Sequence, residues 1–206
     1  MDDVLKNMDS DKKERIINSA LKEFGERGFA RASTNSIVRD AGISKGLLFH
    51  YFENKKNLLD YLEKHVTGTI VSAIQNELDW EETDFFNRLK NVSMIKGRLS
   101  LHYPYIFKFY TRIIQDKSPD EIVEYSKSNA PGLMEKIYIH NIDYSKFKPG
   151  MDMQHVMKII TWVIEKYGTE LLDELMKTGG DIDFPAIDED FNKYLDILRA
   201  AFYSGD

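Results

Sequence analysis

The side chains of this sequence that could support catalysis or bind a metal are few and scattered. The histidines stand at positions 50, 65, 102, 140 and 155, without the spacing of metal ligands. The chain has no cysteine, which excludes disulfides, thiolate catalysis and zinc–thiolate sites. The acidic neighbours Glu81 and Glu82 are typical of solvated charges, and no phosphate-binding loop motif is present. We therefore expect no enzyme activity, no catalytic residue, no metal and no cofactor.

The composition is that of a globular protein with a sizeable core. Of the 206 residues, 42% are hydrophobic and 30% are charged. No apolar run approaches the roughly 18 residues that a membrane-spanning helix needs. The N-terminus is acidic and lacks the apolar core of a signal peptide. We expect a cytoplasmic protein that makes no contact with a membrane.

The distribution of charge matters more than its total. A net charge of −6 argues at first sight against binding to nucleic acid, because phosphates repel acidic surfaces. Within residues 31–60, however, five basic residues stand against three acidic ones, and the acidic excess lies beyond residue 60. The charge pattern therefore permits a DNA-binding segment near the N-terminus.

Apolar residues recur every three or four positions through most of the chain, which predicts an all-α fold. Residues 1–10 are polar and are expected to form a mobile arm. Pro131 and Gly132 are expected to kink or divide one helical segment. The predicted helices are at about 12–27, 34–41, 45–51, 55–76, 83–102, 104–116, 119–140, 152–177 and 188–203.

The most informative segment is residues 33–59, which predicts two short helices joined by a tight turn. Ser33 or Thr34 can cap the first helix, and Ser44 can cap the second. Gly42 can take a positive φ at the turn without a Cβ clash. Together these features indicate a helix-turn-helix, which presents its second helix to the major groove of DNA.

The second short helix has a distinct outer face. Leu48 and Phe52 are four residues apart and can face the core, which leaves Lys45, Gly46, Phe49 and His50 on the outside. A glycine inside a helix is unfavourable by about 1 kcal/mol relative to alanine. Close approach of the backbone to a base or phosphate would explain Gly46; the alternative is that it only relieves crowding between helices.

Residues 12–62 resemble the DNA-binding domain of the tetracycline-repressor (TetR) family. The match rests on Thr34 with Ile37-Val38, Ala41-Gly42-Ile43-Ser44-Lys45-Gly46, Leu48 to Phe52, and Lys55 or Lys56 with Leu58 and Leu59. Two residues depart from the family pattern, because Leu47 replaces its threonine and Phe49 replaces its tyrosine. Each change removes a hydroxyl that could bond to phosphate.

The resemblance implies a set of DNA contacts. Lys45 is expected to reach a base edge or a phosphate, and Lys55 and Lys56 to hold phosphates. A solvated Lys45, a partly buried Tyr51 and simple helix capping by Thr34 are the alternatives. The predicted DNA-binding residues are Thr34, Asn35, Lys45, Gly46, Leu47, Phe49, His50, Tyr51, Lys55 and Lys56.

The resemblance also implies three regions: the arm at 1–10, a helix-turn-helix domain at 11–54, and a ligand-sensing and dimerisation domain at 55–206. Homodimerisation is assigned to helices at about 152–177 and 188–203, with a thick monomeric core as the alternative. Aromatic residues around 102–110 either line a pocket for a small lipophilic effector or are ordinary core. The predicted effector-binding residues are Met94, His102, Tyr103, Phe107, Tyr110, Tyr125 and Trp162.

These features favour a ligand-responsive transcription regulator. We expect a repressor that a small molecule releases from a near-palindromic double-stranded DNA operator, because one short recognition helix contacts only a few base pairs and a dimer supplies two. A DNA-bound scaffold of the same fold without an effector is the alternative, and activation in place of repression is another. An enzyme is a third alternative, which the outward basic face does not favour.

Overall fold

The computed structural model describes residues 5, 8–115, 117–178 and 183–205 of the chain. These residues form α-helices, one 3-10 turn at Tyr144–Lys146 and an isolated bridge between Phe147 and Tyr203, so the all-α prediction is confirmed. The helices are α1 Ser10–Arg31, α2 Thr34–Ala41, α3 Lys45–Phe52, α4 Lys55–Glu77, α5 Phe85–His102, α6 Ile106–Ile114, α7 Pro119–Asn129, α8 Leu133–Tyr138, α9 Met153–Thr178 and α10 Phe184–Phe202. None of the described helices has both the length and the apolar character that crossing a bilayer demands.

Helix boundaries follow the predicted ones with a few informative differences. The segment expected at 119–140 is divided at Pro131 and Gly132, which separate α7 from α8. Helix α6 begins at Ile106 instead of residue 104, because the Ile106 N–H bonds to the Tyr103 carbonyl in a turn. The predicted mobile arm lies mostly outside the described residues, although Leu5 within it is buried.

The chain divides into two compact units. The first unit comprises Met1–Thr69 and His102–Asn129, and the second comprises Ile70–Leu101 and Ala130–Asp206. The first unit therefore contains the predicted helix-turn-helix together with α6 and α7. The functional boundaries expected after residues 10 and 54 stay a prediction.

In the first unit, the apolar faces of α1 to α4 form one core. Helix α6 closes it, since Phe24 of α1 meets Phe109 of α6 edge to face, with ring centroids 6.3 Å apart. At Gly25 a Cβ atom would lie 3.3 Å from the Phe109 backbone nitrogen, so the two helices approach closely there. The buried residues of this core include Ile16, Ile17, Ala20, Leu21, Phe24, Ile37, Ala41, Leu48, Phe52, Leu58, Leu62 and Val66.

The second unit is built around a cluster of aromatic and aliphatic side chains from α5, α8, α9 and α10. Inside it, Arg88 is completely buried. Its guanidinium donates hydrogen bonds to the carbonyls of Glu82 and His140, and to those of Lys136 and Trp80 at 3.3 and 3.4 Å. One cation thereby ties the segment before α5 to the end of α8.

The buried carboxylate of Asp84 links α5, the 3-10 turn and α10 in the second unit. Asp84 caps α5 by accepting from the Asn87 N–H at 3.0 Å. It also accepts from both terminal nitrogens of Arg199 in α10, at 2.8 and 2.9 Å, and from Lys146 at 3.1 Å. Burial by itself raises the pKa of Asp84, but the hydrogen bonds from Arg199, Asn87 and Lys146 together lower it below its usual value.

Replacing Asp84 with asparagine is expected to lower the free energy of unfolding at pH 7 by about 1–3 kcal/mol, because hydrogen bonds to a charged acceptor are lost. A carboxyl whose folded pKa is lowered stabilises the fold above its unfolded pKa, and this stabilisation disappears as the pH falls through the folded pKa. The free energy of unfolding should therefore fall less steeply with decreasing pH in the Asp84→Asn variant than in the unmodified chain. Urea unfolding at several pH values measures this, with the exposed Asp196→Asn as control. Parallel pH profiles would contradict it.

Candidate nucleic-acid interface

Helices α2 and α3 are joined by the turn that the sequence predicts. The Ser33 hydroxyl caps α2 by accepting from the Ser36 N–H at 3.4 Å. Gly42 has φ 66°, a left-handed conformation that glycine adopts without a Cβ clash, and the Ile43 N–H bonds back to Val38 at 3.0 Å. Ser44 caps α3 by accepting from the Leu47 N–H at 3.1 Å. The predicted capping and turn chemistry is confirmed by these bonds.

Helix α1 fixes the position of this pair through two polar contacts that sequence reasoning missed. Arg15 Nε donates to the Ala41 carbonyl at the end of α2, at 3.1 Å. Glu23, which is buried, accepts from the Ser33 N–H at the start of α2, at 2.8 Å, and lies 3.4 Å from Arg27. Both ends of α2 are therefore held from α1. Glu and Arg on a helix face carry no local signal that would have identified these partners.

The outer face of α3 is arranged as the periodicity predicts. Leu48 and Phe52 are buried, whereas Lys45 and His50 are exposed. Leu47, Phe49 and Tyr51 are partly exposed. The Lys45 ammonium lies 5.8 Å from the centroid of the Phe49 ring, and the rings of His50 and Tyr51 meet edge to face at 5.1 Å. A cation and an imidazole thus flank a short apolar surface.

Gly46 occupies open space on this face. A Cβ atom built there would have the Ser44 hydroxyl oxygen, at 4.0 Å, as its nearest neighbour in the part of the chain that the structure describes. Crowding between helices therefore does not explain this glycine. A small residue at an exposed helical position leaves room for an external molecule to approach the backbone closely.

The remaining predicted contacts occupy the ends of neighbouring helices. Thr34 and Asn35 lie in the first turn of α2, where free N–H groups favour anions. Lys56 pairs with Asp60 at 2.7 Å on the exposed surface of α4. Lys55 has a role that the sequence did not reveal: its ammonium donates to the carbonyls of Phe29 and Ala32 at 2.7 and 3.1 Å. Its phosphate contact stays a prediction.

The predicted effector-binding residues fall into both units. His102, Tyr103, Phe107, Tyr110 and Tyr125 belong to the first unit, whereas Met94 and Trp162 belong to the second and are exposed. In the first unit the Tyr125 hydroxyl lies 2.7 Å from the Thr67 hydroxyl, and burial raises the pKa of Tyr125 and of Tyr110. These contacts give two of the tyrosines a polar, half-buried setting. The effector pocket stays a prediction.

Among the described residues no group of three or more His, Asp or Glu side chains is placed to hold a metal ion.

Residues 16–62 match the family model of bacterial regulatory proteins, tetR family. This segment of the chain is a member of that family. The matched segment contains α2, α3 and all ten predicted DNA-binding residues.

Curated relatives of this chain include two BetI proteins, described as HTH-type transcriptional regulators. BetI of Escherichia coli strain UMN026 is 24% identical over 119 residues, covering 49% of this chain and 61% of the relative. BetI of Escherichia coli strain HS is 32% identical over 71 residues, covering 34% and 36%. The matches thus span less than two thirds of these relatives.

A solved structure of a TetR-family transcription regulator from Marinobacter aquaeolei VT8 covers 97% of this chain and 100% of its own, with a TM-score of 0.62 at 17% identity. At that identity the likeness shows that this chain shares the fold along nearly its whole length.

Proposed function

We propose that this TetR-family chain is a DNA-binding transcription regulator, and that it acts as a repressor released from its operator by a small lipophilic molecule. The observation that carries the proposal is the outward face of α3. It places Lys45 and His50 in solvent beside Gly46, where a built Cβ atom would be crowded by none of the residues that the structure describes. Such a face suits a helix that enters the major groove.

The residues around this face are suited to different kinds of contact with DNA. Lys45, at the start of α3, is suited to a base edge or a phosphate. Thr34 and Asn35, in the first turn of α2, are suited to phosphate. The exposed pair of Lys56 and Asp60 contributes little in water, so Lys56 can exchange its partner for a phosphate at small cost. Phosphate contacts supply affinity, and base contacts supply the choice of sequence.

A homodimer would place two such helices about one turn of DNA apart, roughly 34–36 Å, and would read a near-palindrome. Support for association through α9 and α10 comes from their exposed apolar side chains. Ile159 and Trp162 on α9 are 41% and 58% exposed, and Tyr194 and Ile197 on α10 are 43% and 67% exposed. Burial against a second copy would remove this apolar area from water.

Release by an effector would follow from preferential binding of the small molecule to one arrangement of the dimer. The half-buried tyrosines Tyr110 and Tyr125 favour a ligand with a large apolar part and one or two polar groups. A scaffold protein without an effector is the alternative. A thermal-shift screen of lipophilic amines and neutral aromatics, followed by DNA titration with each stabilising compound, separates the two.

The test of DNA binding is selection of the full chain against a randomised duplex library. Lys45→Ala is expected to weaken binding to the enriched duplex at least about tenfold, because an ionic contact is lost at both half-sites. If Lys45 contacts phosphate, the slope of log affinity against log salt should also fall by about 0.9 per contact. Lys90→Ala, on an exposed position of α5, is the matched control.

Fluorescence anisotropy between about 50 and 200 mM salt measures both quantities. Failure to enrich any duplex would overturn the proposed function. Equal losses for Lys45→Ala and Lys90→Ala would remove α3 from the interface.

A further inference from the structure

Between Lys45 and His50, helix α3 carries no side chain that can form a hydrogen bond, because the residues are Gly46, Leu47, Leu48 and Phe49. Accepting the proposed function, we propose that Leu47 and Phe49 read thymine through its methyl group. The operator half-site would then present thymines to the middle of α3.

The geometry directs Leu47 away from the protein core and places Phe49 at the edge of the outward side. Successive helical residues are rotated by about 100°, and the buried pair Leu48 and Phe52 defines the inward direction of α3. Leu47 therefore shares the outward side with Gly46 and His50. Phe49 lies on the flank of that side, next to Lys45. Leu47 and Phe49 are both partly exposed in the free chain.

The backbone does not supply the missing hydrogen bonds. The Leu47 N–H is already bonded to the Ser44 hydroxyl at 3.1 Å. At position 47, then, neither the backbone N–H nor the side chain is available to donate to a base. A guanine or adenine edge pressed against Leu47 would lose its water without gaining a partner, which is unfavourable.

Thymine is the base that fits such a surface. In the major groove it alone among the four bases presents a methyl group, so an apolar side chain distinguishes it from cytosine by contact. Gly46 lets the helix approach closely enough for that contact, since no Cβ projects there. The Lys45 ammonium, 5.8 Å from the Phe49 ring, remains available for a neighbouring phosphate or guanine.

The experiment compares thymine with uracil, which pairs identically but lacks the methyl group. Duplexes enriched by the full chain from a randomised library are resynthesised with uracil at single thymine positions. Each substitution facing α3 is expected to weaken binding about fourfold, the value of one buried methyl group. Substitution in both half-sites should multiply the loss.

Variants assign the effect to a residue. Leu47→Gln is expected to bring the thymine-to-uracil ratio close to one at the positions that Leu47 faces. The same change at Leu101, which is 75% exposed on α5, should leave the ratio unchanged. Circular dichroism checks that both variants fold. The thymine–uracil comparison with the unmodified chain does not depend on these variants.

Enriched duplexes that lack thymine in the half-site, or that bind equally well with uracil, would overturn the inference while leaving DNA binding intact. A thymine-to-uracil ratio that persists in Leu47→Gln would overturn the role of Leu47. Enrichment of no duplex at all would instead overturn the proposed function, and the inference would fall with it.

Discussion

Replacing Arg88 with methionine is expected to lower the free energy of unfolding by about 3 kcal/mol or more. Methionine fills much of the same space, so the main loss is the donation to the carbonyls of Trp80, Glu82, Lys136 and His140. The Trp80 carbonyl keeps a bond from the Asn141 amide at 3.4 Å, whereas each of the other part-buried acceptors left without a donor destabilises the fold by about 1–3 kcal/mol. Relief from burying a charge offsets part of that sum.

The control for this prediction is Arg98→Met on the same helix, α5. Arg98 is half exposed and pairs with Glu77 at 2.6 Å, an arrangement that contributes about 0–1 kcal/mol. Urea unfolding followed by circular dichroism gives both values. If the Arg88→Met and Arg98→Met variants lost equal amounts of unfolding free energy, the Arg88 guanidinium would have no special role in the second unit.

Replacing Gly46 with alanine is expected to change stability and DNA binding in opposite directions. The backbone at Gly46 is helical and a Cβ would meet nothing closer than 4.0 Å. Alanine should therefore stabilise α3 by up to about 1 kcal/mol, which raises Tm by about 2–4 °C for a chain of this size. In the major groove the same methyl group would collide with the DNA, and overpacking of this kind costs about 1–3 kcal/mol per site.

DNA affinity of the Gly46→Ala variant should accordingly fall by about tenfold or more. Gly68 provides the matched control, since it is exposed on α4 with nothing within 4 Å of a built Cβ. Gly68→Ala should raise Tm without weakening binding. Thermal unfolding and anisotropy titration of both variants decide the matter, and unchanged affinity in Gly46→Ala would exclude close approach at α3.

Local chemistry explains why the helix-turn-helix could be predicted from the sequence. Ser33, Gly42 and Ser44 each act on backbone groups within four residues, so their roles follow from spacing alone. The same holds for the outward orientation of His50, which helical periodicity places opposite the buried Leu48 and Phe52. Lys45 shares the helix row of Leu48 and is exposed because it is the first residue of α3.

The contacts that sequence reasoning missed join residues far apart in the chain. Asp84 and Arg199 are 115 positions apart, and Arg88 and His140 are 52 apart. Lys55 illustrates the difficulty within the predicted site, because its partners Phe29 and Ala32 precede it by more than 20 residues. A lysine that donates to the free carbonyls at the end of a helix has the same local sequence context as a lysine that binds phosphate.

The segmented makeup of the first unit has a consequence for how the protein is made. Phe24 and Gly25 of α1 are covered by α6, which is synthesised only after the whole first portion of the second unit, Ile70–Leu101. At about 5–20 residues per second, several seconds separate the synthesis of α4 from that of α6. During that interval the apolar face of α1 around Phe24 and Gly25 lacks the helix that covers it in the folded unit, so we expect folding of the first unit to wait for the completion of α6.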